Sequence, residues 1–112
     1  MLMLSPAVKM FLCAEATDMR RSFDKLAEMA RSQLAQDPLS GHLFIFFNRS
    51  RDRVKILFWD RSGFCLYYKR LEEGQFRPLP KREISAAELT LILEGIELAD
   101  AKRQKRFSLS RA

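Results

Sequence analysis

Basic side chains alternate with other residues in one short stretch of the sequence. The stretch "NRSRDRVK" contains four basic residues, Arg49, Arg51, Arg53 and Lys55, and one acidic residue, Asp52, so its net charge is +3. Arginines at the tip of a two-stranded ribbon can enter the major groove of a duplex and contact phosphates or guanine edges. Their odd-numbered spacing would place all four on one face of an extended strand, but a turn within the stretch would break that parity. The alternative is a solvated loop tip.

A second pair of basic residues, Arg20 and Arg21, follows the predicted start of a helix. The positive end of the helix dipole disfavours cations there, so two arginines at this position indicate a function other than stabilising the helix. Binding a phosphate or an acidic partner would be such a function. The alternative, which the residues leave equally open, is an ion pair with Asp18 or Asp24.

Catalytic groups are sparse in the rest of the chain. His42 is the only histidine and precedes an apolar strand, which favours a structural role over that of a general base. Asp52 and Asp60 flank one strand, whereas a metal-dependent nuclease needs a convergent set of carboxylates. Cys13 and Cys65 lack the neighbours that a zinc site or a disulfide framework requires. We therefore expect no enzyme activity, no cofactor and no metal site.

Composition and charge fit one small basic domain. The chain has 112 residues, of which 47% are hydrophobic and 30% charged, enough for a single core. Twenty lysines and arginines oppose fourteen acidic residues, for a net charge of +6. This balance favours an anionic partner, although it also occurs in proteins that are merely soluble.

The start of the sequence lacks the features of a signal peptide, and no run is long enough to span a membrane. We expect a reduced, cytoplasmic protein with no membrane partner.

The N-terminal part is predicted to form a strand and a helix. Residues 8–13 alternate as a half-buried strand does. Thr17 or Asp18 is placed to cap the following helix, and the proline after Asp37 disfavours further helix, so the helix should end near Ala35. Its apolar stripe, at spacings of four, three and four, consists of Met19, Phe23, Leu26 and Ala30.

Three apolar, β-rich runs follow, "LFIFF", "VKILFW" and "FCLYYKRL", each bounded by polar turn residues. They predict an antiparallel meander. Gly63 and Gly74 stand in turns where a positive φ is needed. A fourth strand, "QFRPLP", can lie only at an edge because its prolines donate no backbone hydrogen bond. The meander brings the acidic Glu72 and Glu73 to the same end as the basic tip, where they could neutralise part of its charge.

Ser85 and Glu88 predict a capping box at the start of a C-terminal helix, with Ile84 and Leu89 as its hydrophobic staple. The fold class is therefore α+β, an antiparallel meander with both helices expected on one face of the sheet. Strand order stays open. The buried face of the C-terminal helix is predicted to consist of Leu89, Ile92, Leu93 and Ile96.

The end of the chain is basic and has no sustained period. Four of the five residues in "KRQKR" are lysine or arginine. We assign residues 1–101 to one domain and expect residues 102–112 to be a flexible tail. Such tails are commonly solvated or bind without specificity.

Two segments resemble a known family: "TDMRRSFDKL" and "GHLFIFFNRSRDRVKILFWDRSGFCLYYKRLEEGQF". They are similar to the small TnpB-type accessory protein that insertion sequences of the sixty-six family encode as their second open reading frame. The resemblance runs from Val8 to the C-terminal helix and leaves out the basic tail. It implies an accessory role in transposition, beside a separate transposase that carries the acidic catalytic triad. It implies no mechanism, and it does not extend to the longer RNA-guided nucleases that share the TnpB name.

These observations lead to hypotheses of different classes. The first is a noncatalytic accessory protein that binds DNA through the basic hairpin. The second is an adaptor that docks on the transposase or on its own copy through an exposed sheet edge or apolar patch. A small nuclease that uses Asp52 or Asp60 is the third.

The oligomeric state is left open. The residues expected to contact DNA are Arg20, Arg21, Arg49, Arg51, Arg53, Lys55 and Arg61.

Overall fold

The computed structural model of the protein describes residues 6–94. The described strands form one five-stranded sheet in the order β4-β3-β2-β1-β5. β1 runs parallel to β2, and all other neighbouring strands are antiparallel. The α+β class and the β2-β3-β4 meander are confirmed. The elements in chain order are β1 (Met10–Leu12), α1 (Phe23–Ser32), β2 (Leu43–Phe47), β3 (Arg53–Asp60), β4 (Gly63–Arg70), β5 (Glu83–Ile84) and α2 (Ala86–Leu93).

The central strand β2 is buried on both of its faces. Phe44 and Phe46 pack with α1, whereas Leu43, Ile45 and Phe47 pack with α2. Because successive side chains of a strand point to opposite faces, the two helices lie on opposite sides of the sheet. The prediction that both helices cover one face is therefore wrong. An uninterrupted apolar strand is typical of a sheet that is covered on both sides.

Helix α1 begins later than predicted. Its N-cap is Ser22, and the helix ends at Ser32, so the expected start at Thr17 or Asp18 is wrong. The Asp18 carboxylate instead accepts from the backbone N–H of Arg20 at 2.9 Å, in the local turn that aspartate commonly forms. The extended segment before the helix positions part of the candidate site. The buried side chains of α1 are Leu26, Ala27, Met29 and Ala30.

The turns confirm one glycine prediction and correct another. Gly74 has a positive φ of 77°, as expected. In the β3–β4 turn the residue with positive φ is Arg61, at 55°, and not Gly63. The segment "QFRPLP" is not a strand: Phe76 anchors it in the core, and the edge position beside β1 is taken by β5, where Ile84 pairs with Met10.

Helix α2 starts as the sequence predicts. The Ser85 hydroxyl accepts from the Glu88 N–H at 3.1 Å, and the Glu88 carboxylate accepts from the Ser85 N–H at 2.8 Å. The predicted staple residues Ile84 and Leu89 lie in one core cluster with Ile92 and Leu93. The predicted positions of Ile96 and of the tail, residues 102–112, lie outside the described residues. No helix within residues 6–94 is long and apolar enough to cross a membrane.

Candidate nucleic-acid interface

The loop between β2 and β3, residues 48–52, is organised by the side chain of Asn48. Its amide nitrogen donates to the Asp52 carboxylate at 2.6 Å. Its amide oxygen accepts from the backbone N–H groups of Asp52 at 3.1 Å and Arg53 at 3.0 Å. One side chain therefore closes the loop with three hydrogen bonds, and Asp52 serves the loop itself. We call residues 48–52 the arginine loop.

The segment after β4 holds the arginine loop from outside. The Phe76 N–H donates to the Arg51 carbonyl at 2.6 Å, and the Gln75 amide donates to the Ser50 carbonyl at 2.8 Å. Phe76 is fully buried, and its ring centroid lies 5.7 Å from that of Phe47. Since these contacts join segments distant in sequence, the loop is fixed before any ligand arrives.

The acidic turn reaches the basic end of the sheet, as predicted. The Leu71 N–H at its start donates to the Asp52 carbonyl at 2.7 Å. Glu72 is paired there with Arg70, at 2.9 Å between its carboxylate and the guanidinium. This pair compensates the Glu72 charge within the turn, and Arg49 and Arg51 remain the exposed cations of the loop.

Two concave surfaces border the arginine loop. The smaller one, which we call the arginine cleft, has a volume of about 470 Å³ and is lined by Arg21, Arg49 and Arg53 together with residues 16–19. The larger one, which we call the strand-end groove, has a volume of about 950 Å³ and lies where β1 and β2 end. Arg49 lines both, so the two surfaces are continuous. The basic side chains of the strand-end groove are Arg49, Arg51, Lys81 and Arg82.

Several of the surrounding cations already have partners. Arg20 pairs with Asp18 at 2.7 Å, and this guanidinium lowers the pKa of the Asp18 carboxyl from 3.8 to about 2. One of the two alternatives for Arg20, a local ion pair, is thus the one observed. Lys81 pairs with Glu88 at 2.7 Å, and the Arg82 guanidinium donates to the Gln33 carbonyl at 2.9 Å.

Arg49 and Arg51 differ from these residues. Within residues 6–94, the structure gives neither side chain an ion pair or a hydrogen bond, and both are exposed. Arg51 also has a positive φ of 57°, which costs a residue with a Cβ about 1 kcal/mol. A strained backbone and two uncompensated charges therefore coincide on a loop that the fold holds rigid.

Lys55 lies inside the fold. It is 6% exposed, and its ammonium donates to the carbonyls of Met19 at 2.6 Å and Arg21 at 2.8 Å. The ammonium nitrogen is also 4.7 Å from the ring centroid of Tyr68. This lysine fastens the segment before α1 to the sheet. Nothing in the structure tests its predicted DNA contact, but its charge is directed inward.

Arg53 and Arg61 occupy the two ends of β3. The Arg53 guanidinium donates to the Tyr68 hydroxyl at 3.2 Å beside the arginine cleft. Arg61 lies in the turn after β3, which at the rise of a strand places it roughly 25 Å away. The fold thus brings together Arg21, Arg49 and Arg53 around the cleft and keeps Arg61 apart.

The groups considered for catalysis are separated. Asp52 precedes β3 and Asp60 ends it, so these two carboxylates do not converge. The His42 ring accepts from the Lys9 N–H at 3.0 Å, which is a structural role. Within the described residues, no group of three or more histidine, cysteine and acidic side chains could hold a metal ion.

Sequence reasoning missed three contributors to this surface. Lys81 and Arg82 are adjacent in "PLPKRE", a visible basic pair that was not singled out. Asn48 could have been found, because asparagine is a common turn residue and its partners Asp52 and Arg53 lie only four and five residues further on. The fold and this surface define a small α+β domain with a preformed basic loop at one end of its sheet.

Comparisons with known proteins agree with that class. Residues 8–103 match the family model for the IS66 Orf2-like proteins, TnpB of IS66. The chain belongs to this family, which gives it an accessory role in transposition and confirms the resemblance seen in the sequence. The family is not known as a catalytic one.

Two relatives come from Sinorhizobium fredii (strain NBRC 101917 / NGR234). The chain is similar to the uncharacterized protein y4hO, with 38% identity over 95 residues, which covers 80% of this chain and 82% of that protein. It is also similar to the uncharacterized protein y4jC, with 30% identity over 104 residues and 89% of each chain covered. No solved structure matches the chain.

Proposed function

We propose that this protein is a noncatalytic accessory factor of transposition that binds DNA through the arginine loop and the arginine cleft. The observation that carries the proposal is the pair of exposed guanidiniums of Arg49 and Arg51, which have no partner among residues 6–94, on a loop held by hydrogen bonds from two sides. Arg21 and Arg53 extend the same positive surface. A guanidinium binds phosphate through two parallel hydrogen bonds, which suits it to a nucleic-acid backbone.

Rigidity supports this role. A flexible loop loses conformational entropy when it binds, whereas the arginine loop is ordered by Asn48 and by the segment after β4. The contact set we propose is Arg21, Arg49, Arg51 and Arg53. Lys55 is left out because its ammonium is bound by two carbonyls, Arg20 because Asp18 offsets its charge, and Arg61 because it lies at the other end of β3.

A fluorescence-anisotropy titration tests this proposal. Purified protein would be titrated into duplexes of the element end and of scrambled sequence at two salt concentrations. The logarithm of the affinity should fall with the logarithm of salt by about 0.9 per phosphate neutralised. Replacing Arg49, Arg51 and Arg53 by alanine should weaken binding strongly while the protein still folds. Unchanged binding by this variant would refute a role of the loop, and equal affinity for both duplexes would make the protein a nonspecific binder.

A second candidate function, an adaptor that docks on a protein, is favoured by the edge strand β4. Residues 64–67 on this eight-residue strand are half-buried, and Tyr68 is 48% exposed. No described strand pairs with its outer side. Natural proteins usually protect long edges with proline, charge or a covering element. In β4 the charged residues, Lys69 and Arg70, stand only at its end, so the uncharged stretch at residues 64–67 is a surface to which another strand can add.

Co-purification with the element's transposase after nuclease treatment tests the adaptor. Tyr68→Glu would place a charge on the edge, and Leu39→Glu is a matched control because Leu39 is 49% exposed and lies elsewhere. The adaptor predicts that the transposase is retained by the wild type and the control and lost by Tyr68→Glu. Retention by all three proteins would exclude this edge as the docking site.

A further inference from the structure

The strand-end groove is formed by four segments that are distant in sequence. β1 and β2 are parallel, so their carboxyl ends meet at one edge of the sheet. Residues 14–16 leave β1 there and the arginine loop leaves β2. The end of α1 and residues 78–82 complete the walls. In sheets with parallel strands, ligands commonly bind outside the carboxyl ends of the strands.

The lining of the groove combines an apolar floor with a cationic rim. Leu12, Leu34 and Phe47 form the floor, and Leu79 lies on the wall. The basic rim side chains outnumber the acidic ones, since Glu15 is the only acidic residue among the described lining residues. The Cys13 thiol donates to the Gln33 side chain at 3.1 Å, and burial raises its pKa. The thiol therefore stays neutral and adds no negative charge to the floor.

This combination suits a ligand that has a flat apolar body and an anionic group. The volume of about 950 Å³ lies within the range of roughly 300–1,000 Å³ that small-molecule sites occupy. A single nucleotide meets both conditions: its base can lie against apolar side chains, and its phosphate can bind a guanidinium. Arg49 borders the groove and the arginine cleft, so a strand that follows Arg49 passes from one to the other.

We propose that the strand-end groove holds one unpaired nucleotide of the DNA whose backbone the arginine loop binds. This inference rests on the proposed function, because the loop must first hold the strand. It adds a preference: DNA with a single-stranded end or an unpaired base should bind more tightly than a blunt, fully paired duplex.

The test uses two labelled probes, a blunt duplex and the same duplex with a three-nucleotide single-stranded overhang. In fluorescence anisotropy, the wild type should bind the overhang probe about tenfold more tightly, because partial burial of one base and one further phosphate contact contribute on this scale. Pro80→Glu and Ala14→Glu each place a carboxylate on the lining of the groove, and both sites are exposed, so folding should be retained. Leu39→Glu has the same net charge outside the groove and serves as the control.

The result that supports the inference is specific to the groove variants. Pro80→Glu and Ala14→Glu should lose the overhang preference, and Leu39→Glu should keep it. Equal affinity of the wild type for both probes would overturn the inference and leave the proposed function intact. Loss of the preference in all three variants would overturn it as well, since a general charge effect would then explain the binding. A wild type that binds neither probe would refute the proposed function itself.

Discussion

The sheet carries a basic turn at each end, and the two turns differ in what surrounds them. Both contain an arginine in the left-handed region, Arg51 with φ 57° and Arg61 with φ 55°. The arginine loop is fixed by Asn48, clamped by the segment after β4 and bordered by two concave surfaces. The turn at Arg61 joins two strands of one hairpin and borders neither of these surfaces. In our proposal the arginine loop binds DNA because distant segments converge around its charge, whereas the turn at Arg61 has the charge without that convergence.

The largest expected loss of stability comes from a substitution that disrupts the arginine loop. Asn48→Ala removes three side-chain hydrogen bonds, and at about 1 kcal/mol each the free energy of unfolding should fall by about 3 kcal/mol. Urea unfolding measures this change. Ser62→Ala in the other turn is the control and should change the free energy of unfolding by less than about 0.5 kcal/mol. Similar losses in both variants would contradict the difference between the turns.

A smaller loss of stability is expected when Lys55 is replaced. This variant distinguishes a charge that stabilises the fold from a charge that binds DNA. Lys55→Met keeps most of the apolar stem but leaves the carbonyls of Met19 and Arg21 without their donor, which should cost about 2 kcal/mol of stability. DNA affinity of the folded variant should fall less than that of an Arg49→Met variant, since the arginine loop keeps its own hydrogen bonds and only the segment that carries Arg21 is loosened. Lys25→Met is the control, since Lys25 is exposed on α1. A stable Lys55→Met protein with much weaker DNA binding would return Lys55 to the interface.

Glycine substitutions at the two strained arginines compare the turns directly. Arg51→Gly and Arg61→Gly should each raise the free energy of unfolding by up to about 1 kcal/mol, because glycine adopts a positive φ without steric cost. Only Arg51→Gly should also weaken DNA binding. Thermal unfolding and anisotropy on the same samples measure both effects. If the two variants bound DNA equally well, the two turns would be equivalent.

The smallest effect concerns Asp18, whose carboxylate offsets Arg20 beside the arginine cleft. Asp18→Asn should tighten DNA binding by about threefold at neutral pH, since it frees one cation. Because the folded pKa of Asp18 is lowered from 3.8 to about 2, the ion pair stabilises the fold above pH 3.8 and is lost as pH falls through about 2. The thermal stability of Asp18→Asn should therefore differ from that of the wild type above pH 3.8, and the difference should vanish as pH falls through about 2. If the difference persisted at the lowest pH, the Asp18–Arg20 ion pair would not be its cause.

Local patterns predicted much of the fold. The meander followed from three apolar runs separated by turn residues, and the capping box of α2 from Ser85 and Glu88, because both depend on neighbours in sequence. The placement of the two helices was wrong although the sequence held a signal: all five residues of β2, "LFIFF", are apolar, which favours a sheet covered on both faces.

The candidate site was less predictable because its parts meet only in the folded chain. Lys55 has the same spacing as the arginines before it, yet its partners lie 36 and 34 residues away. The clamp on the arginine loop comes from Gln75 and Phe76, and the strand-end groove needs segments from four places in the chain. No local period carries such information.

One measurement tests the central claim that binding depends on the arginine loop and not on total charge. Arg49→Gln/Arg51→Gln and Lys25→Gln/Arg61→Gln each remove two positive charges, and their DNA affinities would be measured from low to high salt beside the wild type. We predict that the salt slope falls by about 2 in the loop variant and stays close to the wild-type value in the control. Equal slopes and affinities in the two variants would contradict the claim.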